Sequence, residues 1–325
     1  MDKIQLFKER IETLIENYNF SGTPKELYDP IVYTMKQKGK RLRPLLCMLA
    51  CDLFGGDVKK VEYPALAAEV FHNFTLIHDD IMDRAPLRRG VETVYKKWNQ
   101  DIAILAGDTM FAMAYQLAMQ TDYKNIRKVL NTLSRVAIQV CEGQQLDLNF
   151  EQQENVSIAD YLEMIRLKTA VLLGGSLEIG ATIANVDDTT LQAIYEFGVT
   201  IGIAFQLQDD LLDVYGNYDV FGKITGGDIT TNKKTYLYLQ ALEVADDATR
   251  QQLLDFYSDN YPLHFENKIQ EVTAIFNKLG VKELVEQVMN DYYNKGIERL
   301  NRISVSEDKK ETLLKYVNIL YSRDH

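Results

Sequence analysis

Apolar residues recur at i, i+3, i+4 and i+7 along most of the chain, which is the spacing of one face of an α-helix. The pattern predicts helices over the first 18 residues, from Pro24 (with Thr23 as N-cap) to about Lys38, from Pro44 to Phe54, from Glu62 to Ile81, from about Asp101, Lys124 and Ser157 onward, and from Thr189 to Val214. Beyond Lys233 the chain is charged amphipathic helix with breaks near Tyr261-Pro262 and Gly280. No segment of the sequence shows the alternation typical of a β-strand. We expect an all-α fold, a single-domain helical bundle over residues 1–325 with a deep central cavity, because several helices are apolar on more than one face.

Composition narrows the class of protein. The chain has 325 residues, of which 46% are hydrophobic and 26% charged, so it can bury a sizeable core. Its net charge of −11 disfavours nucleic-acid binding, which usually needs a basic face. The N-terminus lacks the apolar core of a signal peptide, and no window offers the roughly 20 apolar residues that span a bilayer. We therefore expect a cytoplasmic protein without stable membrane insertion, in which Cys47 and Cys51 are buried thiols.

The strongest chemical signal is a repeated acidic cluster. DDIMD supplies Asp79, Asp80 and Asp83, and DDLLD supplies Asp209, Asp210 and Asp213. Each cluster ends an apolar run, where unpaired carboxylates are costly and like charges one helical turn apart repel each other. A cation should compensate, and Mg²⁺ commonly takes one or two carboxylates together with water and substrate phosphates. Two facing helices with such clusters would hold several Mg²⁺ ions against an anionic substrate. The alternative is that these aspartates are solvated acids at helix ends. We expect that simpler role for Asp187-Asp188 and Asp246-Asp247, which have no third aspartate.

Basic residues gather in three segments beside these clusters. The first is KQKGKRLRP, with Lys38, Lys40, Arg41 and Arg43 just before the predicted helix start at Pro44. Arg88 and Arg89 follow the first acidic cluster, and Lys223 and Lys233 follow the second. Arginine offers a planar fork to phosphate oxygens and lysine a compact charge. The arrangement favours two phosphate-bearing substrates, although a basic run of this kind can also be a solvated surface patch.

Two histidines precede the first acidic cluster. His72 lies seven residues before Asp79, two helical turns away on the same stripe, where it is either a functional group or a core histidine. His78-Asp79 is similar to the His-Asp pair of metal phosphohydrolases. That alternative needs further metal-binding histidines, and the sequence offers besides His78 only His72, His264 and His325.

Taken together, these motifs closely resemble the trans-isoprenyl diphosphate synthase family. The resemblance rests on GKRLRP, on His72 seven residues before DDIMD, and on RRG, AILAGD, Lys168-Thr169, FQLQDDLLD and FGKITGGD, in the family's order from about residue 30 to residue 240. It implies an all-α homodimer that condenses isopentenyl diphosphate head-to-tail with an allylic diphosphate. It also implies three Mg²⁺ ions and no side-chain nucleophile.

The resemblance further implies a role for each matching residue. Asp79, Asp83 and Asp209 would be direct Mg²⁺ ligands, with Asp80, Asp210 and Asp213 in support. Arg88, Lys168, Lys223 and Lys233 would hold the allylic diphosphate, and Lys40, Arg43, His72 and Arg89 would bind isopentenyl diphosphate. Thr169 and Gln206 would lie beside the carbocation, and Gln144 and Asp147 would form a polar pair on the cavity wall. Tyr95, in the loop that follows RRG, stands where the family commonly has histidine. This difference could alter how the loop closes over the substrate.

Product length is expected to depend on residues upstream of the first acidic cluster, which in this family help to form the floor of the cavity. Phe74 is the bulky residue five positions before Asp79, Thr75 beside it is small, and Phe71 lies one turn deeper. This pattern is similar to that of short-chain synthases, so that geranylgeranyl diphosphate is favoured, farnesyl diphosphate comes next and longer polyprenyl products third. A helical wheel places Phe74 about 140° from Asp79, so a core aromatic residue is the alternative.

Other functional classes remain as alternatives. A class I terpene cyclase shares the fold and one acidic motif, but it needs no second diphosphate pocket. A non-catalytic partner subunit typically lacks one acidic motif, and both are intact here. A plain helical scaffold would leave the acidic clusters at the ends of apolar runs unexplained.

Overall fold

The computed structural model describes residues 2–216, 226–258 and 267–322. The first half of the chain forms α1 (Lys3–Asn17), α2 (Lys25–Met35), α3 (Leu42–Leu53), a 3₁₀ turn (Val58–Val61), α4 (Glu62–Met82), α5 (Val94–Lys97), α6 (Gln100–Ala118) and α7 (Tyr123–Gln152). The second half forms α8 (Ile158–Ile165), a π-helix (Arg166–Ala170), α9 (Val171–Ile183), α10 (Asp188–Tyr215), α11 (Gly227–Thr230), α12 (Tyr236–Val244), α13 (Asp247–Phe256), α14 (Lys268–Lys278), α15 (Val281–Asn301) and α16 (Glu307–Tyr321). The predicted all-α class is confirmed.

The chain divides into two compact units. The first comprises Met1–Val136, Leu172–Tyr195 and Ile303–Tyr316, and the second comprises Ala137–Val171, Glu196–Arg302 and Val317–His325. That the whole chain is a single domain with one central cavity stays a prediction.

In the first unit, α4 is the central element. It packs most extensively against α6 and also against α3. Its buried residues cover most of its circumference, as expected of a helix with neighbours on several sides. Cys47 and Cys51 of α3 are buried and free, as predicted.

In the second unit, α12 contacts α8, α13, α14 and α15. Its Leu237 and Ala241 are fully buried, and Tyr236, Tyr238 and Leu239 nearly so. The core is shared with the inner faces of α10 and α15. The unit therefore has an apolar centre of its own.

Most predicted helices are confirmed, with shifts at their ends that have physical causes. Pro24 has extended backbone (φ −73°, ψ 148°) and is itself the N-cap of α2, so the prediction of Thr23 as N-cap was wrong, and α2 ends at Met35 rather than near Lys38. α3 begins at Leu42, with Pro44 in its first turn, where a proline's missing N–H is harmless. The Ser157 capping box is confirmed, whereas the break predicted near Tyr261-Pro262 lies outside the described residues.

One small hairpin was not predicted from the sequence. Strands β1 (Leu87–Arg88) and β2 (Val91–Glu92) pair antiparallel within the basic segment that follows α4. The two turn residues, Arg89 and Gly90, have φ of 54° and 79°, the left-handed pair that a tight two-residue hairpin turn requires. Two-residue strands are too short to show alternation in the sequence.

No helix among the described residues is long and apolar enough to cross a membrane.

Candidate functional site

The first acidic cluster lies at the carboxyl end of α4, in the first unit. Asp80 is only 4% exposed, whereas Asp79 is half-buried and Asp83, the residue after the helix, is exposed. Arg88 Nε donates to Asp80 Oδ1 at 2.5 Å. Burial raises the pKa of Asp80 to about 6, although the charge of Arg88 acts in the opposite direction. The cluster therefore has one inward carboxylate with a protein partner, flanked by two that are nearer to solvent.

The hairpin carries the next two basic residues. Arg88 in β1 reaches back to α4, and Arg89 occupies the turn. The guanidinium of Arg89 lies over Gly39, where a Cβ atom would come within 3.0 Å of its Nη1. Gly39 thus leaves room for an arginine from the hairpin beside the KGKRLR segment, which brings two of the basic segments together.

His72 of α4 lies among these cations. Burial lowers the pKa of His72, and the charges of Arg43 and Arg89 lower it further. The imidazole is therefore neutral near pH 7, so one of its nitrogens can donate a hydrogen bond and the other can accept one. The structure brings together His72, Arg43 and Arg89, three of the four residues expected to bind isopentenyl diphosphate, while the fourth, Lys40, is exposed on the same segment.

Arg41 has a structural role that the basic pattern did not reveal. Its side chain is 4% exposed, and it donates to Glu69 at 2.9 Å and to Glu12 at 3.0 Å. Two further donations go to the backbone carbonyls of Met35 and Gln37. One of the four cations in this segment is thus directed inward, where it holds the end of α2 against α1 and α4.

The aromatic residues upstream of the first cluster pack between α4 and α6. Phe74 is 9% exposed, and its ring centre lies 5.4 Å from Phe71, 5.4 Å from Phe111 and 4.9 Å from His78. The half-buried Thr75 donates its hydroxyl to the carbonyl of His72 at 2.8 Å. Phe111 of α6 completes this group and was not singled out in the sequence, although it lies on the stripe of α6 that faces α4. The role of these residues in product length stays a prediction.

His78 is engaged by α6 rather than by the acidic cluster. Its Nε2 lies 3.2 Å from the carbonyl oxygen of Ile104, and its ring fills the space above Gly107. The metal phosphohydrolase alternative therefore loses the histidine on which it depended.

The second acidic cluster lies on the last turns of α10, in the second unit, and its middle aspartate is again the buried one. Asp210 is 4% exposed, while Asp209 and Asp213 are half-buried. Tyr161 donates its hydroxyl to Asp210 Oδ2 at 2.5 Å. Burial, followed by the charge of Asp228, raises the pKa of Asp210 to about 8. Tyr161 was missed in the sequence, where its only signal is an aromatic residue seven positions before Lys168.

Asp213 is held by the chain that follows α10. Its Oδ2 accepts from the backbone N–H of Asp228 at 3.0 Å, and its carbonyl accepts from Gly226 at 2.6 Å. Lys233 is half-buried, and its backbone N–H donates to the carbonyl of Asp228 at 2.9 Å. Lys223 lies outside the described residues.

Lys234 was not predicted to have any role. Its ammonium donates to the backbone carbonyl of Phe150 at 2.8 Å and to that of Gln153, so that it binds the carbonyl end of α7. A cation at the carboxyl end of a helix is stabilising. Of the adjacent Lys233 and Lys234, the second therefore has a structural role.

A π-helix presents Lys168 and Thr169. The turn Arg166–Ala170 interrupts the helix predicted to run on from Ser157, and such turns often occur at functional sites. Lys168 Nζ donates to Asp147 Oδ2 at 2.6 Å, and Thr169 donates to Gln206 Oε1 at 3.1 Å. A Cβ atom at Gly143 would lie 2.2 Å from the backbone nitrogen of Lys168, so glycine is what allows α7 to pass this close.

Two polar side chains, one in each unit, bury atoms that make no hydrogen bond within the described residues. Both amide atoms of Gln144 are buried in this way, and so is the hydroxyl of Tyr95, the residue that departs from the family pattern. Buried polar atoms of this kind call for a partner such as water or a ligand.

Among the described residues, no three histidine, cysteine or acidic side chains form a ready-made metal cluster. The donor chemistry nevertheless fits Mg²⁺, because the candidate ligands are all carboxylates and this ion usually completes its shell with water and phosphate oxygens. The half-buried or exposed members of each cluster are Asp79, Asp83, Asp209 and Asp213.

Comparison with known proteins gives a consistent result. A family model described as polyprenyl synthetase matches residues 24–278. The geranylgeranyl pyrophosphate synthase of Geoglobus acetivorans is 41% identical over 244 residues, which are 74% of this chain and 75% of that protein. The geranylgeranyl diphosphate synthase of Methanosarcina mazei is 34% identical over 330 residues, which are 100% of this chain and 98% of that protein. A crystal structure of a geranylgeranyl pyrophosphate synthase superposes with a TM-score of 0.92 at 39% identity, covering 99% of this chain and 98% of that one.

Proposed function

Because the chain belongs to the polyprenyl synthetase family, we propose that it condenses isopentenyl diphosphate head-to-tail with an allylic diphosphate to form geranylgeranyl diphosphate and diphosphate. It is an isoprenyl diphosphate synthase, a trans-prenyltransferase. The observation that carries the proposal is the acidic triplet that occurs twice, each time with its middle aspartate buried, with Arg88 bonded to Asp80 in the first triplet.

The allylic diphosphate is assigned to the acidic clusters and the lysines near them. Asp79, Asp83 and Asp209 would hold Mg²⁺, with Asp80, Asp210 and Asp213 in support, and the bound metal would neutralise charge on the diphosphate oxygens. We propose three Mg²⁺ ions because this is the number that the resemblance to the family implies. Arg88, Lys168, Lys223 and Lys233 would hold the same diphosphate with cationic donors that are already in position.

Isopentenyl diphosphate is assigned to the basic group of the first unit. Arg43, Arg89 and the neutral His72 lie together there, with Lys40 on the same segment. Arginine forks suit phosphate oxygens, and a neutral imidazole can donate one hydrogen bond without adding charge. The alkene of this substrate attacks the allylic carbon, and a proton is then lost to the departing diphosphate.

Cleavage of the allylic C–O bond leaves a carbocation that must be stabilised and kept from water. Thr169 and Gln206 would supply oxygen dipoles to it, and their mutual hydrogen bond of 3.1 Å holds both oxygens in one place. No step requires a side-chain nucleophile.

A twenty-carbon product is favoured by the bulk of Phe74 and by the geranylgeranyl diphosphate synthases that the chain resembles. Farnesyl diphosphate is the next candidate, followed by a longer polyprenyl product. A class I terpene cyclase is disfavoured because the separate basic group at Arg43, His72 and Arg89 would then have no substrate.

The proposal is tested by incubating the purified protein with labelled isopentenyl diphosphate and dimethylallyl, geranyl or farnesyl diphosphate, with and without Mg²⁺. Chromatography of the dephosphorylated products should show geranylgeraniol, and only in the presence of the metal. Absence of elongation with every primer, or equal elongation in a chelator, would contradict the assignment.

We also propose that the protein is a homodimer. α6, the residue that follows it and the first residue of α7 leave large apolar side chains in solvent, with exposures of 39% for Ile104, 57% for Leu105, 48% for Met119 and 95% for Tyr123. A second copy of the chain would cover this surface.

Light scattering after gel filtration should give a mass of about twice 37.3 kDa, the mass of one chain. The variant Leu105→Glu should lower this mass. The control Leu254→Glu, at a 40% exposed site on α13, should leave it unchanged. A wild-type monomer would refute the dimer.

The cytoplasmic location expected from the sequence is proposed as well. Fractionation of the source cells tests it.

A further inference from the structure

We infer that Tyr161 is a positioning residue for prenyl transfer, which acts through Asp210 to set the orientation of the Gln206 amide beside the reacting carbon. The inference rests on the proposed function and deepens it. It assigns to Asp210 a task that a metal ligand would not have, namely to anchor the amide.

A continuous chain of hydrogen bonds links the four side chains. Tyr161 Oη donates to Asp210 Oδ2 at 2.5 Å, and Gln206 Nε2 donates to Asp210 Oδ1 at 3.2 Å. Thr169 Oγ1 donates to Gln206 Oε1 at 3.1 Å. Tyr161 lies on α8 and Thr169 in the π-helix that follows it, whereas Gln206 and Asp210 lie one turn apart on α10, so the hydrogen bonds tie this continuous segment to α10 at two points.

The chemistry of the donors and acceptors determines which way the amide faces. Gln206 Nε2 lies 3.2 Å from Asp210 Oδ1, and Gln206 Oε1 lies 3.1 Å from Thr169 Oγ1, so the NH₂ group is the end that faces Asp210. Its carbonyl oxygen is then directed to Thr169 and receives the hydroxyl hydrogen. The lone pairs of the Thr169 oxygen are thereby left for another positive centre.

Tyr161 is one of three donors to the carboxyl group of Asp210, together with the Gln206 amide and the backbone N–H of Tyr236. Its side chain and that of Asp210 are each 4% exposed, so water does not substitute freely for the hydroxyl. The ring of Tyr161 packs edge-on against Tyr236, with centres 6.2 Å apart, which limits its movement. Without the hydroxyl, the buried carboxyl group of Asp210 loses one of its three donors, and it can turn toward the Gln206 amide or the backbone of Tyr236 to compensate.

A disordered amide would harm the reaction in a specific way. If Gln206 rotates by 180° about its last bond, its N–H groups replace the carbonyl oxygen beside Thr169 and the threonine hydroxyl must turn. Positive ends of dipoles then face the place where positive charge develops. Substrate binding, which depends on the diphosphate ligands elsewhere, should change little, so the effect belongs to kcat.

The test uses Tyr161→Phe, which removes only the hydroxyl, and Tyr238→Phe as a matched control at a tyrosine of α12 that is 3% exposed and stacks on Tyr257. Loss of a buried hydrogen bond predicts a fall in kcat of about tenfold or more for Tyr161→Phe, with KM for both substrates changed by less than about twofold. Tyr238→Phe should keep wild-type kcat. Tyr161→Phe with wild-type kcat would overturn the inference.

Two further measurements separate positioning from packing. If Tyr161 acts through Gln206, the double variant Tyr161→Phe/Gln206→Ala should be no slower than Gln206→Ala alone, whereas multiplied losses would indicate an independent structural role. The side-chain NH₂ signal of Gln206 in nitrogen–proton NMR spectra, assigned by its loss in Gln206→Ala, should shift in Tyr161→Phe and stay in place in Tyr238→Phe. This signal does not depend on turnover, so an unchanged signal refutes the inference even if the proposed reaction fails.

Discussion

The middle aspartate of each acidic triplet differs from its neighbours in burial, and this difference decides what each carboxylate can do. Asp80 and Asp210 are both 4% exposed, and each has a protein donor, Arg88 for the first and Tyr161 for the second. Their partners leave them less available to a metal than the flanking aspartates. At the scale of single residues, three identical side chains within five positions therefore divide into anchors and candidate ligands.

Arg41 shows how much a buried charge depends on its partners. Replacing it in Arg41→Met would leave the carboxylate of Glu69, which is 2% exposed, without its ion pair. We expect the free energy of unfolding to fall by about 3–5 kcal/mol, because the uncompensated charge stays buried. Urea denaturation measures this loss.

The control is Arg302→Met, since Arg302 pairs with Glu298 on the surface at 80% exposure of its side chain. Its loss should change the free energy of unfolding by less than about 1 kcal/mol. Equal effects for the two variants would show that the Arg41 ion pair contributes no more than a surface pair.

Phe74 tests the residue-scale basis of product length. Phe74→Ala removes a ring that packs on Phe71 and Phe111, and if the ring limits the growing prenyl chain, products longer than twenty carbons should appear. Phe74→Leu keeps most of the bulk and should keep most of the twenty-carbon product. Chromatography of dephosphorylated products measures the distribution, and an unchanged one in Phe74→Ala would remove the residue from the floor.

Two short irregular elements place four of the basic and polar groups in a way that regular helices would not. The hairpin β1–β2 places Arg88 against Asp80 and Arg89 over Gly39. The π-helix turns Lys168 toward Asp147 and Thr169 toward Gln206. At the scale of elements, the site depends on where the helices are interrupted.

Gly143 provides a test of the π-helix. In Gly143→Ala the added methyl would lie 2.2 Å from the backbone nitrogen of Lys168, so either α7 or the π-helix must shift. Because a displacement of about 1 Å can cost about 100-fold in rate, we expect a large loss of kcat. The neighbouring Glu142→Ala, at an exposed position on α7, should retain activity in the same steady-state assay, and full activity in Gly143→Ala would show that the segment tolerates displacement.

At the scale of the whole molecule, the cluster at residues 79–83 belongs to the first compact unit and the cluster at residues 209–213 to the second. The net charge of −11 gives the chain no general attraction for anions. Binding of diphosphates must therefore be local, through the basic groups near each cluster. The proposed reaction requires both units at once.

This requirement predicts that either cluster alone is insufficient. Asp79→Asn and Asp209→Asn should each lower kcat by at least about 100-fold, since each removes a carboxylate assigned to Mg²⁺, the ion that would neutralise the departing diphosphate. The double variant should be little slower than either single one if the two carboxylates serve one step. Asp246→Asn is the control, because Asp246 caps α13 by accepting from Thr249 at 2.8 Å and asparagine caps equally well.

Full activity in either single variant would show that its cluster has no part in catalysis. Thermal unfolding of all four variants, measured in parallel, would distinguish such a result from a change in folding.

The sequence by itself determined the helical class, most helix positions, the two acidic triplets and the residue types of the basic groups. These follow from local spacing, because a helix face repeats every three to four residues and carboxylates and cations can be recognised by type. The tertiary structure alone decided that Asp80 and Asp210 face inward, that Arg41 and Lys234 bind protein groups, and that Tyr161 contacts Asp210. It also set the hairpin and the π-helix, which leave no periodic signal. The physical reason is that burial and hydrogen-bond partners depend on residues far away in the chain (Tyr161 and Asp210 are 49 positions apart), and local patterns carry no information about them.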